Sequence, residues 1–96
     1  MNLRLVQFTL PSGKSAAARN IAEKVVPLIR TQPGCDRCEF FGEDATGDYG
    51  IAVFWATRQA AEAAAPVISP ILSPLLTAAG KTAESRRLFD VYEPQH

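Results

Sequence analysis

The stretch "IAVFWATRQAAEAA", residues 51–64, contains the change from strand to helix on which the fold prediction depends. Ile51, Val53 and Trp55 alternate with other apolar residues, so both faces of this segment are predicted to be covered in the folded protein. Thr57 is a residue type that caps helices, and an alanine-rich run follows it. The stretch therefore predicts a buried strand that leads directly into a helix.

The rest of the chain alternates in the same way between strand and helix patterns. The segment "DATGD", residues 44–48, has turn composition and is predicted to join two strands into a hairpin. In chain order, the predicted elements are a strand over 2–10, a helix over 15–31 capped by Ser12 or Ser15, strands over 36–43 and 49–56, a helical region over 57–79, and a strand over 85–93. The order β-α-β-β-α-β predicts an α+β, ferredoxin-like fold, with an antiparallel sheet and both helices on one face. We expect a single domain over residues 1–96.

Prolines interrupt both predicted helices, and their expected effects differ. Pro27 lies on the polar side of the first helix, where water can reach the carbonyl left without a donor, so we expect a bend and a continuing helix. In the second helical region an interior proline costs about 3 kcal/mol. There, Pro66 is followed by two Ser-Pro pairs at 69–70 and 73–74. Because a Ser-Pro pair suits the first turn of a helix, the region is predicted to form two consecutive pieces that separate after residue 65.

The charge balance excludes some classes of partner. Ten Lys and Arg residues match ten Asp and Glu residues, whereas nucleic acid and anionic membranes attract proteins with a basic excess. No segment has the pattern of a signal peptide, and no run reaches the ~20 apolar residues of a membrane span. We therefore expect a cytoplasmic protein that binds neither nucleic acid nor membrane.

The predicted sheet has more apolar surface than two helices can cover. In the first strand, Leu3 and Leu5 alternate with Val6 and Phe8, so both faces carry apolar side chains. Helices on one face leave the other face open, and a second copy of the chain is the simplest partner for it. The sequence thus predicts an obligate homodimer packed sheet to sheet.

The chain resembles the antibiotic biosynthesis monooxygenase superfamily, the dimeric α+β barrels. The likeness covers nearly the whole chain and depends on "PGC" at 33–35, "IAVFWATRQAAEAA" at 51–64 and "RLFDVYE" at 87–93. The resemblance implies a pocket between the helices and the sheet. It also implies a cofactor-independent monooxygenase-like activity on a small aromatic, quinol or polyketide-type substrate, in which the buried substrate anion itself reduces oxygen. No metal, flavin or other cofactor is expected.

The histidines that many members carry on the helices after the Trp are missing from this sequence. Residues 58–79 contain no histidine, and His96 lies in the C-terminal tail. The haem-degrading branch uses a helix Trp and His and a first-strand Asn, whereas here Trp55 lies on a strand and the first strand offers Gln7. Haem degradation is therefore not expected, and no catalytic residue is assigned. A non-catalytic ligand-binding or dimerisation module of the same fold is the alternative function.

Polar and aromatic side chains on the predicted strands supply the candidate site. The predicted substrate-binding residues are Gln7, Trp55, Asp90 and Tyr92. The amide suits a hydrogen bond to a substrate oxygen, the indole a pocket wall, the carboxyl a base, and the phenol a donor. Each side chain also has a purely structural explanation. Gln7 would be an interface amide and Trp55 part of the core, while Asp90 would be a paired carboxylate and Tyr92 a tyrosine at the edge of the core. Arg86 and Arg87 offer charge for an anionic substrate, but we expect them to be solvated at the start of the last strand.

Cys35 and Cys38 form a C-x-x-C pair, the spacing of thiol redox sites and of half a zinc site. A thioredoxin-type pair needs its first Cys at a helix N-terminus, whereas both cysteines here follow a helix and begin a strand. Residues three apart in a regular strand point to opposite faces, with Cα atoms roughly 10 Å apart, too far for a disulfide. Zinc needs four ligands, and the sequence has no second Cys pair. We predict neither thiol chemistry nor a metal site.

Overall fold

The structure, a computed structural model, describes residues 1–92 and Pro94, which form four strands and two helices. In chain order these are β1 (Asn2–Thr9), α1 (Ser15–Arg30), β2 (Cys35–Glu43), β3 (Asp48–Trp55), α2 (Arg58–Ala78) and β4 (Ala83–Asp90). The order confirms the predicted β-α-β-β-α-β arrangement. The last strand begins at Ala83 and ends at Asp90, so its predicted extension over Val91 and Tyr92 is wrong, while Glu93 and His96 lie outside the described residues.

Strand β1 lies inside the sheet between β3 and β4, because the strand order is β2-β3-β1-β4 and all neighbouring strands are antiparallel. Asn2 is paired with Trp55 on one side and with Asp90 on the other. Successive side chains of a strand point to opposite faces. Phe8 is buried on the helix face, while Gln7 is exposed on the other face. The two faces of the sheet therefore have different surroundings.

Both helices pack on the same face of the sheet, which confirms the predicted ferredoxin-like fold. The largest fully buried side chains come from strands and helices alike: Trp55, Leu10, Ile21, Ile51, Leu72, Leu76, Val25 and Cys38. The shortest dimension of the chain is 18 Å, which fits a sheet covered by one layer of helices, because packed layers lie roughly 10 Å apart. The other face of the sheet, here called the open face, is not covered by the described chain.

Helix α1 differs from the prediction at its first residue. Lys14 occupies the N-cap position and makes no side-chain capping bond, so the expected cap by Ser12 or Ser15 is wrong. The predicted continuation of the helix past Pro27 is confirmed, and that proline is exposed to solvent; the bend there stays a prediction. At the other end, Arg30 Nη2 donates a hydrogen bond to the carbonyl of Cys38 at 2.9 Å and ties the last turn to β2.

Helix α2 is one continuous helix, so the prediction of two pieces is wrong. Pro66, Pro70 and Pro74 are all exposed and recur every four residues, which places them in one row on the solvent side. Each proline withholds a hydrogen bond from the carbonyl four positions earlier. Because those carbonyls also face the solvent side, water can satisfy them, and burial of the inner face offsets the cost.

Both ends of α2 are capped as the sequence predicts. Thr57 Oγ1 accepts a hydrogen bond from the Ala60 N–H at 3.1 Å. At the C-terminus, Gly80 takes a φ of +82°, a left-handed conformation that glycine adopts without strain. The Lys81 N–H then donates to the carbonyl of Leu76 at 3.1 Å, which closes a Schellman motif.

Because α2 is continuous, it is longer than either of the two predicted helical pieces. Its 21 residues are long and apolar enough to cross a membrane, by length and composition only. This is a weak indication, because the core helix of a soluble protein meets the same test. In the structure α2 lies along the sheet and buries Ala61, Ala64, Leu72 and Leu76. The compact fold that results is consistent with a soluble protein.

A β-bulge near the start of β2 corrects the prediction for the C-x-x-C pair. Cys35 is paired with Trp55 and Cys38 with Val53, and the register shifts between Cys35 and Arg37. The extra residue in the strand brings both thiols to the helix face, whereas a regular strand would have placed them on opposite faces. Both cysteines are free, and Cys38 is buried. Within the described residues, no group of three or more His, Cys, Asp or Glu side chains could hold a metal ion.

Burial makes the stability of the fold depend on pH through Cys38. Desolvation, followed by the neighbouring Cys35 thiol, raises the pKa of Cys38 from 9.0 to about 11. The folded state holds the proton more tightly, so this stabilisation is complete below pH 9 and is lost as pH rises through 11. We expect a loss of at most about 2–3 kcal/mol, measured by urea unfolding across that range. The Cys38→Ala variant is expected to lack this decline, and an equal decline in both proteins would contradict the assignment.

Candidate functional site

A cavity of about 140 Å³ lies between α2 and the helix face of the sheet. Its walls are mainly apolar and come from β1, α1, β3 and α2: Val6, Ile29, Ile51, Val53, Trp55, Ala65, Ile68 and Leu72. Ala65, at its outer margin, is exposed, whereas Trp55 and Leu72 are buried. An apolar space of this kind favours a ligand with an apolar body.

One side of the cavity is polar, because Arg4, Ser69 and Arg86 also line it. Arg86 Nη1 donates to Ser69 Oγ at 2.7 Å, and Nη2 donates to Ser73 Oγ at 3.0 Å. The two serines lie four residues apart and therefore on one side of α2. These bonds hold the guanidinium of β4 in a fixed place under the helix.

A carboxylate supports the same guanidinium from within β4. Glu84 pairs with Arg86 and with Lys81, and its side chain is only 14% exposed. Burial on its own would raise the pKa of Glu84, but the hydrogen bonds from Lys81 and Arg86 outweigh it, so the pKa lies below its ordinary value. Glu84 is therefore charged at neutral pH and positions Arg86.

Trp55 contributes a polar atom that has no partner. The side chain is 1% exposed and lines the cavity. Within the described residues its indole Nε1 is the buried side-chain nitrogen or oxygen that makes no hydrogen bond. Buried indole N–H groups usually find an acceptor, and leaving one unpaired costs about 1–3 kcal/mol. The nitrogen is enclosed by the protein, so the aromatic ring is what Trp55 contributes to the cavity wall.

A family model described as "Antibiotic biosynthesis monooxygenase" matches residues 1–65, which include β1, α1, β2, β3 and the first part of α2. The chain belongs to the antibiotic biosynthesis monooxygenase family. Membership supports a monooxygenase-like function. No curated protein matches the chain.

Solved structures share the fold of this family member over its whole length. A Deinococcus radiodurans protein assigned to the same family has a TM-score of 0.84 at 14% identity, with 100% of this chain and 97% of that one covered. SnoaB, a cofactor-independent oxygenase from Streptomyces nogalater, has a TM-score of 0.73 at 20% identity and coverage of 97% and 94%. The monooxygenase ActVA-Orf6 of Streptomyces coelicolor, solved with nanaomycin D, gives 0.73 at 16% and coverage of 99% and 90%. At these identities the likeness shows the fold alone.

Two of the predicted site residues of this monooxygenase family member, Gln7 and Trp55, lie on opposite faces of the sheet. Gln7 lies on the open face, paired with Gly50 and Ser85, while Trp55 faces the helices. Gln7 instead lines an open groove of about 670 Å³ at one end of the sheet, together with Phe41. The two side chains therefore do not meet in one pocket of a single chain.

The other two predicted residues lie near the end of β4. Asp90 is exposed, and its Oδ1 accepts a hydrogen bond from Asn2 Nδ2 at 2.9 Å. Because Asn2 is paired with both Asp90 and Trp55, these three residues form one row on the helix face. Tyr92 lies beyond the strand and is 86% exposed. Neither Asp90 nor Tyr92 lines the cavity under α2.

Sequence reasoning gave little weight to the residues that form the polar side of the cavity. Arg86 was expected to be solvated, and Ser69 was expected to cap a separate helical piece, yet the two are hydrogen-bonded under α2. The alternation of side chains along β1 and β4 indicates that both arginines lie on the helix face. Arg4 shares its face with Val6, and Arg86 is the cross-strand partner of Val6, so both arginines fall on the buried side.

Proposed function

We propose that this protein is a cofactor-independent monooxygenase-like enzyme whose substrate, a small aromatic or quinol, binds in the cavity under α2. The observation that carries the proposal is an apolar cavity whose wall combines a fixed guanidinium with the buried aromatic ring of Trp55. Family membership supports the reaction class.

The proposed reaction draws its electrons from the substrate. A hydroquinone and O₂ give a hydroxyquinone and water, with one oxygen atom entering the ring and the other leaving as water. The substrate must first lose a proton, because its anion is the species that reduces oxygen. Burial in an apolar cavity disfavours an anion unless positive charge is near.

The chain supplies that positive charge at a fixed point. Arg86 and Arg4 stabilise the substrate oxygen anion and so lower the substrate pKa. The Trp55 ring packs against the aromatic body of the substrate. The walls contributed by Val53 and Leu72 keep water from the reactive anion.

A ligand-binding module without catalysis is the second candidate function. The described residues that line the cavity include no histidine and no carboxylate. A protein that only binds an aromatic molecule needs no base, whereas an enzyme here relies on guanidinium groups and solvent for proton removal. Turnover, rather than binding, separates the two functions.

Oxygen uptake tests the proposed activity. Hydroquinones and anthrones are offered to the metal-free protein, and uptake is recorded for wild type, Arg86→Gln, Gln7→Ala and Arg58→Gln. We expect Arg86→Gln to lower kcat/KM about 10- to 100-fold, since it removes a charge-assisted hydrogen bond to the anion. Arg58 is exposed on α2 and pairs with Glu62, so Arg58→Gln is the matched control and should match wild type.

Two results would count against this proposal. Uptake no greater than the blank with every substrate would leave the binding module as the function. Loss of activity in Gln7→Ala, with Arg86→Gln unaffected, would move the site from the cavity to the open groove beside Gln7.

We also propose that the protein is a homodimer joined through the open faces of the two sheets. Leu5 lies on the open face between Ala52 and Arg87, and Leu3 lies between Phe54 and Phe89. These apolar side chains form the centre of that face. An interface made by the same patch on both copies has the self-complementary form of a two-fold dimer.

The edges of the open face are polar or partly covered in the single chain. The Phe41 ring lies over Gly50, where an added Cβ would come within 2.2 Å of it. The guanidinium of Arg87 lies 4.6 Å from the centre of the Phe89 ring, a cation–π distance. An apolar centre with a polar edge is the usual composition of a protein interface, which supports the proposed dimer.

A further inference from the structure

Arg86 keeps hydrogen-bonding capacity beyond its contacts within the chain. A guanidinium has five N–H donors. The contacts with Glu84, Ser69 and Ser73 use one donor each on Nε, Nη1 and Nη2. One N–H therefore remains on each terminal nitrogen, at a side chain that lines the cavity.

Positive charge exceeds negative charge on the polar side of the cavity. Lys81 and Arg86 share the single carboxylate of Glu84. Arg4 is paired with Leu88 and so is the diagonal neighbour of Arg86 across the β1–β4 pair. Among the described residues, Arg4 takes part in no ion pair. Asp90 is the other diagonal neighbour of Arg4, so three cations and two carboxylates leave a local excess of one positive charge, and the apolar walls strengthen its field within the cavity.

The size of the cavity limits the ligand to one ring. An aliphatic and aromatic cavity of roughly 150 Å³ holds one benzene molecule, and the cavity under α2 is about 140 Å³. A fused three-ring body could be enclosed only in part, so most of its apolar surface would gain nothing from the cavity walls. A charged substituent on a single ring can extend past the walls toward Arg86 and Arg4.

We propose that the cavity binds a monocyclic aromatic carboxylate, with the ring among the apolar walls and the carboxylate at Arg86 and Arg4. A planar guanidinium matches a carboxylate with two parallel hydrogen bonds, and Arg86 has one free N–H on each terminal nitrogen. This inference rests on the proposed function for the location of the site and adds the substrate class. The reacting substrate is then a hydroxylated aromatic acid, rather than a neutral quinol or a polycyclic polyketide.

Calorimetric titration of the full chain with unreactive ligands tests the inference. The probes are benzoate, its neutral isostere benzamide, and the three-ring anthraquinone-2-carboxylate. We expect benzoate to bind at least 10-fold more tightly than benzamide, and the three-ring acid to bind at least 10-fold more weakly than benzoate. Equal affinity for benzoate and benzamide, or tight binding of the three-ring acid, would overturn the proposal.

Variants assign the preference to the guanidinium. Arg86→Gln is expected to remove the preference for benzoate over benzamide, Arg86→Lys to retain it at lower affinity, and Arg58→Gln to match wild type. Circular dichroism and thermal unfolding check that each variant is folded. If Arg86→Gln does not fold, Arg86→Lys and the ligand series still decide the question. An unchanged preference in folded Arg86→Gln would overturn the proposal.

The failure of this inference is distinguishable from the failure of the proposed function. Benzoate binding without oxygen uptake from any hydroxylated aromatic acid supports the inference and identifies the binding module as the function. Oxygen uptake from neutral hydroquinones, with no preference for benzoate, supports the enzyme and overturns the inference.

Discussion

Replacement of Trp55 by alanine is expected to lower the free energy of unfolding by about 3–5 kcal/mol, because the side chain is only 1% exposed. Trp55 packs where α2 crosses β3, beside a space that is already partly empty. Removing the indole enlarges that space, and the surrounding core can collapse into it only partly. Since small domains are stable by about 5–15 kcal/mol, urea unfolding should show a large shift of the midpoint.

Two further variants show how much of this loss in the free energy of unfolding is due to the aromatic ring of Trp55. Trp55→Phe keeps an aromatic ring and removes the indole N–H that lacks a partner, so we expect a loss of only about 1–2 kcal/mol. Tyr92→Ala removes an aromatic residue that is 86% exposed, and it should stay within about 0.5 kcal/mol of wild type. A cost below 1 kcal/mol for Trp55→Ala would contradict the packing described for this residue.

Replacement of Leu5 by lysine is expected to raise the dissociation constant of the proposed homodimer at least about 100-fold. Leu5 lies on β1, a central strand, so its side chain would lie near the middle of the interface. An ammonium there would be buried without a partner, and two copies would face each other across the two-fold axis. Sedimentation velocity at micromolar concentration measures the change.

Val67→Lys is the matched control for Leu5→Lys. Val67 is also aliphatic, but it is 45% exposed on α2, away from the open face. The control should therefore sediment as wild type does. A wild-type protein that is monomeric at micromolar concentration would contradict the dimer, and so would equal dissociation in both variants.

Alternation and element order were enough to predict the architecture, because they depend on local pattern. The β-α-β-β-α-β order gave the antiparallel sheet with both helices on one face, and Thr57 gave the start of α2. The break at Pro66 was predicted wrongly, since a propensity is a property of the isolated chain. In the folded protein, packing of the inner face of α2 against the sheet outweighs that propensity.

The candidate site was less predictable, because it depends on register and on contacts between distant segments. A single extra residue in β2 changed the face on which Cys35 lies. Gln7 looked suited to a pocket, yet its position in β1 directs it to the open face. Arg86 and Ser69 meet only because α2 continues past its prolines and crosses above β4, a relation that no local pattern encodes.

The central position of β1 has a consequence for how the protein is made. β1 leaves the ribosome before β4, yet Asn2 is paired with Asp90, 88 positions later. The hairpin of β2 and β3 can form early, because its contacts are local. Until β4 pairs with it, β1 has one unpaired edge. The nascent chain would expose an aggregation-prone strand edge, and a ligand that needs the guanidinium could stabilise only the finished protein.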